Sequence, residues 1–277
     1  VLKLGGSVLT EESKLALAVN EIHRWRREGH RVVAVVSALA GATDELLRRS
    51  RSYAREPSSE SVAALVSLGE LESAALLGLH LDRAGVPASV LTPQAIGLLA
   101  DGPALDARPV GLDVAVLRSA LARDGVAVVP GFVARAADGR TVLLGRGGSD
   151  LTALFITAHL GAGRCRLIKD VDGLYDRDPA RPGPPPQRYA TASWSDALAT
   201  DGSIVQHQAV RFAQAHDYEF ELVRQKTGLG EPEILEKSEV LIVTRGERGS
   251  SVVMRGGRAE VAADGARLAV ELGADLL

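Results

Sequence analysis

The sequence has one cysteine, Cys165, among 277 residues, which rules out a disulfide within the chain. Cys165 lies in the strand-like Arg164-Cys165-Arg166-Leu167-Ile168, where a buried structural thiol is a better reading than a nucleophile. Charge of one sign is also missing. With 32 Lys and Arg against 35 Asp and Glu the net charge is −3, which offers no broad basic face to nucleic acid. No apolar run approaches the length of a membrane span, and Val1-Leu2-Lys3 is too short and too soon interrupted by glycine for a signal peptide. These absences predict a soluble cytoplasmic protein with no nucleic-acid or membrane partner.

Common metal and nucleotide signatures are absent too. There is neither the Gly-Lys-Ser/Thr of a Walker A loop nor the three-glycine dinucleotide fingerprint. The six histidines show no paired helical spacing suited to zinc. The acidic cluster Asp170, Asp172, Asp176 and Asp178 lacks the register and terminal glutamate of an EF-hand loop. No metal held by the protein itself is expected.

What the chain does have is apolar content, 46% of its residues, enough for a substantial core. Strand-like and helical segments alternate over the first 215 or so residues, which predicts an α/β fold with a mainly parallel sheet. Leu15, Ala18, Ile22 and Trp25 mark one helical face, and Gly29 ends that helix before the strand Val32 to Val36. Further helices are predicted from Thr43, up to about Leu81, from Leu112 to Arg123 and over 151–161. Strands are predicted at Ala88 to Leu91, Val126 to Val129 and 164–169, with a hairpin over Val133 to Leu143 turning at Asp138-Gly139.

Two glycine-rich turns stand out. Lys3-Leu4-Gly5-Gly6-Ser7 puts a lysine at the end of a short strand, and Gly145-Arg146-Gly147-Gly148-Ser149-Asp150 leads into an apolar helix. Glycine pairs let backbone N–H groups approach an anion, and a helix start adds free amides and a positive dipole end. Ligands of open parallel sheets sit beyond the carboxyl ends of the strands, where Lys3, Ser37, Arg146 and Asp170 are predicted to fall. The pattern points to phosphoryl transfer.

These turns, with Val36-Ser37-Ala38, Thr43-Asp44, Gly69-Glu70, Gly131-Phe132 and Asp170 to Tyr175, occur in the order found in aspartokinases. The chain resembles that branch of the amino acid kinase family across about residues 1–215. The resemblance implies a three-layer α/β/α sandwich, amino-acid biosynthesis, and transfer of the ATP γ-phosphoryl group to the side-chain carboxylate of L-aspartate, with Mg2+ carried by ATP. It also implies a homodimer. By the same resemblance Lys3 neutralises phosphoryl oxygens and Asp150 organises the transferring group. Gly5, Gly6, Ser7 and Gly148 line the phosphates, and Lys169, Asp170 and Tyr175 lie on the nucleotide side. Arg146 pairs with a substrate carboxylate, Glu70 receives the substrate ammonium, and Ser37, Thr43 and Ser149 complete the substrate side.

The chain departs from the family pattern at three places. Lys169-Asp170 stands where Thr-Asp is usual, Ala180 follows Asp178-Pro179 where arginine is usual, and Ser203 replaces an ATP-contacting lysine. Lys169 is expected to restore part of that charge. The sequence therefore also admits another acceptor of the same family, or a subunit that binds nucleotide or amino acid without turnover. Beyond about residue 217 the resemblance fades, and no ACT modules are recognisable. The expected organisation is a kinase-like domain over 1–216 and an α/β segment over 217–277, either completing the same sheet or forming a partial second module. Within that segment Tyr218 to Leu222 and Val240 to Val243 read as strands and Val252 to Val261 as a hairpin around Gly256-Gly257, and parts of it resemble ribokinase-like sugar and nucleoside kinases without their Gly-Ala-Gly-Asp signature.

Overall fold

The computed structural model describes residues 1–171, 175, 182–184, 189, 191–224, 240–244, 251–255 and 258–262. The chain divides into two units, Val1–Ile168 and Lys169–Leu277. The first unit begins with β1 (Leu2–Leu4), α1 (Leu15–Arg27), β2 (Val32–Val36), α2 (Ala42–Tyr53) and α3 (Ser59–Arg83). It continues with β3 (Ser89–Val90), β4 (Leu99–Asp101), β5 (Arg108–Gly111), α4 (Val114–Arg123) and β6 (Val126–Pro130). It closes with β7 (Val133–Arg135), β8 (Thr141–Leu143), α5 (Gly148–Leu160) and the strand β9 (Arg166–Lys169).

Strand β1 pairs in parallel with β2 and β9, and β6 pairs in parallel with β2 and β3. Strands β2 and β6 are buried at every position, as central strands covered on both faces must be. Alternation then decides which side chain meets which layer. Leu2, Leu4, Val32, Ala34, Val36, Val126 and Val128 share one core with Leu15, Ala18 and Ile22 of α1 and Leu77 and Leu81 of α3. The opposite parity of β1 is Lys3. α5 packs on β1 and β2, and α4 on β6 and α5. This arrangement is the predicted layered α/β fold with a mainly parallel sheet.

Local sequence explains the helix boundaries. The α1 face Leu15, Ala18, Ile22 and Trp25 is buried as its spacing predicts. Ser58 caps α3 by accepting from Ser61 N, and Asp113 caps α4 by accepting from Ala115 N. The hairpin β7–β8 has the antiparallel register expected of it. Two strands of this unit were not legible: β4 and β5, which join β7 and β8 in a second, four-stranded sheet. Their sequences, Leu-Ala-Asp and Arg-Pro-Val-Gly, carry neither alternation nor a β-branched run.

One sequence reading is corrected. α3 has 25 residues and a mean hydropathy of 1.6 in its most apolar window, long and apolar enough to cross a membrane. In this fold 56% of that window is buried, and α3 packs against α1, α2, β6 and β8. Its apolarity therefore serves a core helix.

The second unit contains β10 (Thr191–Ser193), α6 (Trp194–Ala199), α7 (His207–Ala215), β11 (Phe220–Arg224), β12 (Val240–Thr244), β13 (Ser251–Arg255) and β14 (Arg258–Ala262). Ser193 and Asp196 form a capping box at α6. β12 lies parallel to β10 and antiparallel to β11, and β13 and β14 form an antiparallel ribbon. β11 starts two residues after the predicted Tyr218 because Asp217 holds a left-handed φ of 54° and prolongs the turn. The Gly256-Gly257 turn, Asp172, Asp176, Asp178, Ala180 and the segment 245–250 lie outside the described residues.

Candidate active site

The parity of β1 sends the Lys3 side chain toward the α5 layer, where its Nζ meets Asp150 Oδ1 at 2.8 Å. Both side chains are nearly closed to solvent, at 8% and 4% exposure. Asp150 lies in the first turn of α5, where a carboxylate is favoured by the helix dipole. The adjoining turn crowds in: a Cβ on Gly5 would stand 3.0 Å from Lys3 Nζ, and one on Gly6 would stand 3.0 Å from the Ala38 carbonyl oxygen.

The second glycine-rich turn is shaped by close approach. Gly145 and Gly147 hold φ of 68° and 73°, which glycine adopts without a steric cost. A Cβ on Gly148 would lie 2.7 Å from Phe132 Cδ2, and one on Gly131 would lie 2.7 Å from Ser149 Cβ. The Gly131-Phe132 bend and the start of α5 are therefore in direct contact. Thr152 fastens them, accepting from Phe132 N at 3.1 Å and donating to Gly148 O at 2.8 Å. Helix α5 begins three residues before the predicted Leu151, because packing overrides the poor helix propensity of Gly148. The Gly148 amide donates to Gly145 O at 3.0 Å, so a phosphate contact would require the turn to release that bond. First-turn amides beyond it have no intrahelical acceptor.

Glu70 stands on α3 at 3% exposure. Its Oε1 accepts from Ala38 N at 3.3 Å, in the loop after β2 where Ser37 N donates to Leu4 O at 3.0 Å. Glu70 Oε2 and Ser73 Oγ are buried without a hydrogen-bond partner among the described residues. Burial pushes the Glu70 carboxyl up to about 7, opposed by the Ala38 amide, by its own backbone amide and by the Lys3 charge. Neighbouring Gly69 lets this part of α3 close on two segments: a Cβ there would lie 3.0 Å from Ala38 Cβ and 3.8 Å from Ala42 Cβ of α2. Thr43 follows Ala42 in the first turn of α2.

The structure thus gathers Lys3, Asp150, Glu70, Gly5, Gly6, the Ser37-Ala38 loop and the Gly131 bend around the carboxyl ends of β1, β2 and β6. Ser37 and Thr43 are half-buried, Ser149 is buried, and Ser7 and Arg146 are exposed at their turns. Arg146 follows β8 of the smaller sheet rather than a parallel strand. Lys169, Asp170 and Tyr175 belong to the second unit: Lys169 closes β9 and is buried, Asp170 is exposed and Tyr175 is half-buried. Ser203 is exposed, its amide donating to Asp201 Oδ1 at 2.8 Å. Sequence reasoning missed Thr152, Ser73 and the Ala38 amide. The available signal was a pair of small hydroxyl residues on helix faces that are otherwise apolar.

Chemically, the site offers one lysine whose charge is balanced by Asp150, a carboxyl that burial raises to about 7 and whose Oε2 has no hydrogen-bond partner among the described residues, and first-turn amides of α5 with no intrahelical acceptor. Such a set suits two charged ligands better than one.

The amino acid kinase family model matches residues 1–218. An aspartokinase of Thermus thermophilus is 37% identical over 179 residues, 65% of this chain and 44% of that protein. The aspartate kinase of Synechocystis is similar in structure, with a TM-score of 0.69 and 27% identity over 88% of this chain and 39% of that one. Aspartokinase III of E. coli, solved in complex with aspartate and ADP, gives a TM-score of 0.70 at 20% identity, over 90% of this chain and 65% of that one, a likeness of fold. The chain spans about half the length of the curated relatives it matches.

Proposed function

The chain belongs to the amino acid kinase family, and from that premise we propose that it phosphorylates the side-chain carboxylate of L-aspartate with ATP, releasing 4-phospho-L-aspartate and ADP. The observation that carries this reading is the buried Lys3–Asp150 pair together with Glu70, whose Oε2 has no hydrogen-bond partner among the described residues. The likeness to aspartokinases supports it.

An ionised carboxylate is already a nucleophile, so the protein needs no general base. Its task is to align two anions and offset the charge spreading over the transferring phosphoryl group. A carboxylate oxygen of aspartate attacks the γ-phosphorus as the bond to the bridging oxygen breaks, and the electron pair leaves on ADP. Lys3 is held in place by Asp150 and faces the phosphoryl oxygens, supplying positive charge without having to reorganise. The amides of the Gly5-Gly6-Ser7 turn and of the first turn of α5 at Ser149 receive phosphate oxygens. The acceptor's ammonium meets Glu70 and its α-carboxylate meets the planar fork of Arg146. Ser37 and Thr43 supply hydroxyl contacts, and Lys169, Asp170 and Tyr175 serve the nucleotide.

Mg2+ would enter with the nucleotide. Among the described residues no three His, Cys, Asp or Glu side chains stand close enough to hold an ion, so phosphate oxygens would supply most of its ligands. When bound, it shields the charge of the phosphates. A cytoplasmic homodimer is the proposed setting, the location resting on the lone buried thiol of Cys165 and the dimer on the family likeness.

An acceptor panel under Mg–ATP, with ADP release as the readout, tests the reading. Turnover with L-aspartate and not with phosphate-bearing acceptors is the expected result. Turnover only with a phosphate acceptor would assign the chain to a different substrate, and nucleotide binding without turnover would make it a regulatory subunit.

A further inference from the structure

Glu70 and Ser73 stand one turn apart on the buried side of α3, at 3% and 0% exposure. Each keeps one polar atom, Glu70 Oε2 and Ser73 Oγ, buried without a hydrogen-bond partner among the described residues. An unsatisfied buried polar atom is costly, and two of them on one helix face call for a common reason.

The Ser73 hydroxyl differs from its counterparts. Other buried helix hydroxyls turn back on their own backbone: Ser50 donates to Leu47 O at 2.8 Å, Ser67 to Ala64 O at 2.8 Å, Thr152 to Gly148 O at 2.8 Å and Thr157 to Ala153 O at 2.6 Å. Ser73 makes no such bond. Side chains of a helix lean toward its N-terminus, so the Ser73 side chain leans over the turn that carries Glu70. Glu70 for its part is held at one oxygen, where Oε1 accepts from Ala38 N at 3.3 Å. A single bond of that length sets the carboxyl plane only loosely.

We propose that Ser73 is the positioning residue of the Glu70 carboxylate, its hydroxyl turning to donate to Oε2 when the ammonium of the acceptor binds. The Ala38 amide on Oε1 and Ser73 on Oε2 then fix the plane of the carboxylate, and the remaining lone pairs face the ammonium. An ammonium beside Glu70 keeps the carboxylate ionised and Oε2 a strong acceptor, which favours the turn of the hydroxyl. This role rests on the reading that Glu70 receives the acceptor's ammonium.

Steady-state kinetics and thermal unfolding of Ser73→Ala test this role. KM for aspartate should rise about tenfold, as loss of a hydrogen bond to a charged group implies, while KM for ATP and kcat stay within about twofold. The melting temperature should hold or rise, since the substitution removes an unsatisfied buried hydroxyl; a serine that served packing alone would lower it and leave KM unmoved. Ser73→Cys keeps the volume with a poor donor and should raise KM for aspartate as Ser73→Ala does. In a Glu70→Gln background Ser73→Ala should add no more than about twofold to KM, because the serine acts through the carboxylate. Where turnover is too slow to follow, calorimetry of aspartate binding under Mg–ADP gives the same comparison. An unchanged KM for aspartate in Ser73→Ala beside a raised one in Glu70→Gln would overturn the role of Ser73 alone, and an unchanged KM in Glu70→Gln would overturn the Glu70 reading with it. An effect of Ser73→Ala that persists undiminished in Glu70→Gln would also overturn the role of Ser73.

Discussion

Lys3 Nζ and Asp150 Oδ1 lie 2.8 Å apart in a buried contact between the central strand β1 and the first turn of α5. The pair joins the two glycine-rich turns into one site, and removing either partner strands a charge in the interior. Lys3→Met is therefore expected to destabilise the protein by about 3 to 5 kcal/mol, with Lys3→Met/Asp150→Leu recovering part of the loss. Urea unfolding of both variants checks this, and activity should be absent from each.

Glu70 makes stability and substrate affinity depend on pH in opposite senses. Its folded value of about 7 lies above the ordinary 4.5, so between those values the native state holds a proton that the unfolded chain lacks. Stability is fully present below about 4.5 and declines as pH rises through 7, by about 3 kcal/mol at most. An ammonium ligand favours the ionised form, so KM for aspartate should fall as pH rises from 6 to 8. Glu70→Gln should flatten the stability profile and raise KM at all pH values. A Glu70→Gln profile that still declines between pH 5 and 8 as the unsubstituted protein does would refute the assignment.

Gly131→Ala drives a Cβ to 2.7 Å from Ser149 Cβ. Overpacking of this kind costs about 1 to 3 kcal/mol, and because it displaces the α5 start it should lower kcat more than it raises KM for either substrate. Steady-state kinetics alongside thermal unfolding separates the two effects. Unaltered kinetics would show that the Gly131 bend does not position α5.

Arg146 is exposed on its turn, so Arg146→Ala should change stability by no more than about 0.5 kcal/mol. Loss of a charged hydrogen bond to the acceptor should raise KM for aspartate roughly 10- to 100-fold, with Arg146→Lys recovering only a little because an ammonium lacks the planar fork. KM for ATP should stay put. The reverse pattern is expected of Lys169→Ala: a higher KM for ATP and an unchanged KM for aspartate.

Much of this was legible in the sequence because the parallel core writes itself in continuous apolar runs, and the strand Val32–Val36 and most of Val126–Pro130, read as Val126 to Val129, were both found that way. The glycine turns were legible because few structures require two adjacent glycines. The small sheet was not, since β4 and β5 are held by pairing and not by their own composition. The apolar span of α3 was missed because Glu70, Ser67 and Ser73 interrupt it when read as a line, although they share the buried set of one helix. Thr152 and the Ala38 amide escaped for a related reason: each acts across the fold on a partner distant in sequence. Lys3 with Asp150 was foreseen as two residues of one site, while their direct contact follows from the parity of β1, which only the register fixes.

The most direct test is to trap the acyl phosphate. The purified full-length protein, given Mg–ATP and L-aspartate in the presence of hydroxylamine, should yield aspartyl hydroxamate in step with ADP, and conservative Asp150→Asn should reduce both sharply while the protein remains folded. ADP release without hydroxamate, or hydroxamate formation unaffected by Asp150→Asn, would contradict phosphoryl transfer to a carboxylate at this site.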